Sequence, residues 1–169
     1  MDKINWDLLD EKDINFAFNE SKEKLKNTID FRNKLQNKSF ILLSIFITII
    51  SGFSGFILND KTTIFLRLFI LILVVGFLIG LFFLIKCIKT DYFHSLGNLP
   101  TTILNVKNKE NFDYLYMIEC ELLSYDKRIK ENLNINKLFG LNINKALKSI
   151  LVSFFIAFIF LIVCLFFGL

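Results

Sequence analysis

The side chains best suited to chemistry are few and scattered. His94 is the only histidine, and the three cysteines, Cys87, Cys120 and Cys164, lie far apart. A single imidazole without Cys or acidic partners at ligand spacing cannot hold a zinc ion, so no metal site is expected. The odd, unpaired cysteines form no CxxC motif and read as buried free thiols, not a disulfide framework. Glu119 and Glu121 are two residues apart, which turns them to different faces of a helix and prevents a shared proton. The chain shows no GxSxG, HExxH, P-loop or Rossmann glycine pattern, so neither catalysis nor a cofactor is expected. The informative side chains are small or hydroxylated and sit inside very apolar runs. Ser44, Thr48, Ser51 and Gly55 recur at steps of four, three and four, and are the candidates for a pore wall. Gly76 and Gly80 form a GxxxG. Ser149, Ser153 and Ala157 recur every fourth residue, with Cys164 and Gly168 continuing the small-residue series. Lipid tails are as apolar as Leu, so helices in a bilayer associate through such small faces and modest hydrogen bonds.

Those faces need helices to carry them. Hydrophobic residues make up 54% of the 169 positions and Phe alone accounts for 21, more than an ordinary soluble domain of this size carries. Charged residues still reach 21%, and the two classes are segregated. Ser39–Leu58, Thr63–Ile85 and Ser149–Leu169 hold most of the aliphatic mass and one charge, Arg67. Each meets the roughly 20 apolar residues that a membrane-crossing helix requires. Backbone amides in lipid must be satisfied internally, so helix is the expected structure for all three. The fold class expected is therefore an all-α membrane protein with three transmembrane helices, an antiparallel hairpin plus a C-terminal span, and two amphipathic cytoplasmic helices. The divisions are 1–38, an N-terminal helix or stalk; 39–87, the hairpin; 88–148, a cytoplasmic loop and helix; and 149–169, the last span.

Flanking charge sets the expected orientation. Arg32, Lys34 and Lys38 precede the first span, Lys86 and Lys89 follow the second, and Lys137, Lys145 and Lys148 precede the third. The short Asn59-Asp60-Lys61-Thr62 turn offers one lysine. By the positive-inside rule the N-terminus is cytoplasmic and the C-terminus outside, with Arg67 snorkelling to the outer interface or lining a pore mouth. No cleavable signal peptide is expected, because charged and polar residues precede the first apolar run. The net charge of +4 is thus assigned to topology, and no nucleic-acid module is present.

Two polar stretches carry helical stripes. Ile14, Phe18, Leu25 and Ile29 mark one face of 13–38, and Leu115, Ile118, Leu122, Tyr125, Ile129 and Leu133 mark an interaction stripe on 110–137. Gly97, Asn98 and Pro100 mark a loop between the second span and that helix. Leu133-Asn134-Ile135-Asn136-Lys137 repeats as Leu141-Asn142-Ile143-Asn144-Lys145 around Gly140, and reads as a helix end, a short break and the lead-in to the third span.

A cytoplasmic helix with Leu-Lys-Asn-Thr-Ile-Asp-Phe-Arg-Asn-Lys-Leu-Gln-Asn-Lys (25–38) runs into a two-helix hairpin, followed by the helix 114–136, a Lys-rich lead-in (144–148) and a last apolar span. This order resembles the small membrane effectors of bacterial nucleotide-signalling anti-phage systems, of the Pycsar transmembrane and SLATT type. The resemblance implies an oligomeric inner-membrane protein that perturbs or permeabilises the bilayer once triggered by a cytoplasmic protein or nucleotide signal. Its partners would be the lipid bilayer and further copies of itself. Two other readings stay open: a non-enzymatic adaptor or anchor for a cytoplasmic partner, and a membrane immunity or superinfection-exclusion protein.

Overall fold

A computed structural model of the chain describes residues 9–59, 62–88, 93–95 and 114–167, and the side chains of these except Tyr114 and Leu115. The expected loop around Pro100, the Asp60-Lys61 turn, Lys89, residues 110–113, the side chain of Leu115, and Gly168 lie outside the described residues. The described chain is all-helical. It consists of α1 (Glu11–Ile57), α2 (Ile64–Ile88) and α3 (Tyr114–Phe166). Each helix contains a stretch long and apolar enough to cross a membrane.

Helix α1 starts at a reciprocal cap. The Asp13 amide donates to Asp10 Oδ1 at 2.8 Å and the Asp10 amide donates to Asp13 Oδ2 at 3.4 Å. This is the capping-box arrangement built from two aspartates, which also favour the positive end of the helix dipole. No Pro or Gly occurs before Gly52, so nothing interrupts the 47-residue helix. At its far end Thr62 Oγ1 donates to the Phe56 carbonyl at 2.9 Å, and Arg67 reaches back to donate to the Asn59 carbonyl at 2.7 Å. Arg67 thereby satisfies a carbonyl just past the helix end, where a cation is also favoured by the dipole.

Helix α3 corrects the expected break at Gly140. It runs unbroken for 53 residues through both Asn-rich repeats. A single glycine inside a helix costs only about 1 kcal/mol, too little to end one whose packing face continues on either side. Buried positions 125, 129, 132, 136, 139, 143 and 146 alternate steps of four and three, a period of about 3.5 residues.

The chain divides into two compact units, Met1–Arg32 with Tyr92–Asn136, and Asn33–Asp91 with Lys137–Leu169. In the first, Leu25, Tyr125 and Ile129 form a buried cluster, with Phe18 and Ile29 packed against it. Phe18 stacks on Tyr125 at 5.6 Å between ring centroids. The α1 and α3 portions run in the same direction here, since Phe18 meets Tyr125 while Thr28 meets Asn132 and Asn136. In the second unit α2 is the most enclosed helix: 33% of its most apolar stretch is buried, against 6% for α1 and 17% for α3. Phe77 sits at its centre, with edge-on contacts to Phe46 (5.2 Å), Phe53 (6.4 Å) and Phe154 (6.3 Å).

Candidate functional site

Within the second unit the small residues of α2 and α3 meet. The Ser149 hydroxyl lies 3.2 Å from the Gly76 carbonyl and 2.8 Å from that of Ala146. A β-carbon on Gly76 would stand 2.1 Å from Ser153 Oγ and 2.2 Å from Ser153 Cβ. One on Gly80 would meet Phe46 Cε2 at 2.7 Å, Ser149 Oγ at 3.2 Å and the Ala146 carbonyl at 3.3 Å. Glycine at these positions permits backbone approach that any side chain would block. Ala157 is fully buried. At the other end of α2 the Cys87 thiol is buried beside Ser39, against the Phe139 carbonyl (3.6 Å).

The hydroxyl stripe of α1 behaves differently. Ser44, Thr48 and Ser51 are exposed, and each hydroxyl donates to a carbonyl four residues back, Phe40, Ser44 and Ile47, at 2.9–3.0 Å. Such bonds let a hydroxyl sit in an apolar medium without a water partner. A β-carbon on Gly52 or Gly55 would meet nothing within 4 Å. The stripe is therefore exposed along its length, with open space at Gly55.

The first unit holds a polar layer that the apolar pattern did not reveal. Asn132 is fully buried. Its Nδ2 donates to Thr28 Oγ1 (3.2 Å) and to the His94 carbonyl (3.1 Å), and its Oδ1 accepts from the His94 amide (3.1 Å). Both ends of this amide are thus used, and the backbone of His94 is held as a neighbouring strand would hold it. Asn136 Nδ2 donates to the Thr28 carbonyl at 2.9 Å, while its buried Oδ1 has no hydrogen-bond partner among the described residues. Thr28 Oγ1 donates onward to the Leu25 carbonyl at 2.7 Å. The His94 ring contacts the Glu131 carboxylate, and the Arg32 guanidinium stacks over Phe93 at 4.3 Å.

These contacts shift the interaction stripe. Ile118, Tyr125 and Ile129 are buried and Leu122 is half-buried, but Leu133 is 47% exposed. Asn132 takes the position that Leu133 was expected to fill, because the step from Ile129 is three, not four. A polar residue at a core position is read from sequence as a cap or turn, which is why the register slipped. Cys120 is exposed and not buried, since it falls off the stripe that includes Ile118 and Leu122. Glu121 pairs with Arg128 at 3.8 Å. Burial, and then the Glu121 carboxylate, push the Tyr125 phenol above its ordinary pKa, with Arg128 acting in the opposite sense. Among the described residues no group of three His, Cys, Asp or Glu side chains could hold a metal ion.

No protein-family model, curated protein or solved structure matches this chain.

Proposed function

We propose that the chain is an oligomeric inner-membrane effector that perturbs or permeabilises the bilayer when triggered, in anti-phage defence. The observation that carries this reading is the exposed Ser44/Thr48/Ser51/Gly55 face of α1. It is polar enough to line a path or a helix interface, and no described helix of its own chain covers it. Three helices cannot enclose a pore alone, so a path on this face requires further copies. The contact order supports an antiparallel α1–α2 hairpin, with Ser39 by Cys87 and Phe46 by Phe77. Flanking lysines support a cytoplasmic N-terminus and an outward C-terminus. In this reading the first unit is an amphipathic cytoplasmic helix pair that receives a protein or nucleotide signal. The activity is non-enzymatic.

The test is induced expression in bacteria, together with the neighbouring genes, followed by a membrane-potential dye. Wild type depolarises the cells. Ser51→Leu inserts equally well, because Ser51 is exposed on α1 and its hydroxyl bonds back to the Ile47 carbonyl of the same helix, and loses depolarisation. A potential that never changes in any of these cells defeats the reading.

An adaptor is the second reading. It is favoured by exposed apolar side chains on the first unit, including Phe16, Phe31 and Leu123, which suit a cytoplasmic protein partner. Under it the protein is monomeric in mild detergent and expression is harmless. An immunity protein would instead protect cells from a phage.

A further inference from the structure

In the second unit a groove of about 510 Å³ runs along the outer surface between α2 and α3. Its walls are apolar, with Val75 and Ile79 on one side and Val152 and Ile156 on the other, and its floor is the close approach of Gly76 to Ser153. One end differs. There Lys145 and Lys148 line the groove, one helical turn apart, and Lys145 Nζ stands 5.7 Å from the centre of the Phe83 ring. Both lysines are exposed, and Lys148 makes no ion pair or hydrogen bond among the described residues. The described part of this unit contains no Asp or Glu, but seven cations: Lys34, Lys38, Arg67, Lys86, Lys137, Lys145 and Lys148. Among the described residues of this unit, the positive end of the groove has no carboxylate counter-charge.

We infer that this groove binds an anionic glycerophospholipid, its phosphate held between Lys145 and Lys148 and one acyl chain laid along the apolar wall. Length fits this occupant. From Lys145 to Ile156 is eleven residues, or about 16 Å of helix, close to one leaflet of a hydrocarbon core about 30 Å thick. Charge fits as well, because the lysines sit where α3 enters its apolar stretch, the depth of a headgroup. A zwitterionic lipid would fill the same groove without answering the two charges. Each lysine near an anionic headgroup is worth about a fivefold preference, so the pair gives roughly 25-fold.

The inference rests on the reading that α2 and α3 cross the bilayer. Carbonate extraction tests that separately: release of the chain into the soluble fraction defeats the membrane reading itself. The lipid site is tested by native mass spectrometry of protein taken from nanodiscs containing phosphatidylglycerol and phosphatidylcholine. Wild type retains phosphatidylglycerol preferentially. Lys145→Gln with Lys148→Gln reduces that preference by roughly 25-fold, whereas Lys34→Gln with Lys38→Gln leaves it nearly intact. Val152→Trp, which fills the groove and changes no charge, lowers retention of both lipids. Equal loss in the two lysine pairs shows a general charge effect and overturns the site. No preference in the wild type also overturns it, as does a second copy crosslinked through Val152→Cys.

Discussion

Gly76→Ala places a methyl group where α2 and α3 are closest. The added carbon would lie 2.2 Å from Ser153 Cβ, and ordinary contact begins at 3.4 Å, so the helices must separate by about 1.2 Å (3.4 − 2.2). Rotating Ser153 can remove its hydroxyl from the clash but not its β-carbon. Overpacking of this kind costs about 1–3 kcal/mol. The separation also stretches the 3.2 Å contact from Ser149 to the Gly76 carbonyl beyond hydrogen-bonding range, a loss of about 0.6–1.7 kcal/mol in a membrane protein. The total expected is about 2–5 kcal/mol. Unfolding by denaturing detergent, followed through labelling of the buried Cys87 thiol in a Cys120→Ser/Cys164→Ser background, measures it. Ser153→Gly in the same chain removes both clashing atoms and should restore at least about 1 kcal/mol, a coupling expected only of residues in contact. Gly55→Ala, with nothing within 4 Å, is the control and should not destabilise. A Gly76→Ala protein within about 0.5 kcal/mol of wild type, or no rescue by Ser153→Gly, refutes the close approach.

Three further outcomes are expected. Asn132→Leu strips partners from Thr28 and from both backbone groups of His94, and should cost about 1–3 kcal/mol in thermal unfolding; Asn136→Leu removes one bond and a buried unpartnered oxygen and should cost less, so the reverse order would contradict the polar layer. Gly140→Ala should raise stability by up to about 1 kcal/mol, because the added carbon meets nothing within 4 Å; a loss would mean that Gly140 is needed as a hinge. The raised pKa of Tyr125 means that the folded state holds its proton more tightly than the unfolded one, whose tyrosine titrates near 10. The resulting stability is complete below about pH 10 and lost as pH rises through the folded value, so wild type should lose more stability than Tyr125→Phe above that point, and parallel curves would refute it.

The three apolar helices were legible because runs of some 20 apolar residues admit little else. The helix boundaries were not, because Gly140 and the Asn repeats carry turn residues that tertiary packing overrides. Asn132 and Asn136 serve as core positions of α3, and sequence alone gives no sign that Thr28 and His94 wait opposite them. The small faces were visible on each span, but their pairing was not. Gly76 and Gly80 meet Ser153 and Ser149 on α3, while the equally small Ser44–Gly55 face of α1 stays exposed. That distinction depends on which side each helix turns toward α2, a property of three helices together and not of any one.

The most direct measurement is intermolecular crosslinking in native membranes through Ser51→Cys in an otherwise cysteine-free chain. Assembly through the exposed face of α1 gives covalently linked copies at Ser51→Cys and none at Ala157→Cys, which is buried within the chain. A protein that stays monomeric at every expression level, with Ser51→Cys never linked, contradicts an oligomeric effector.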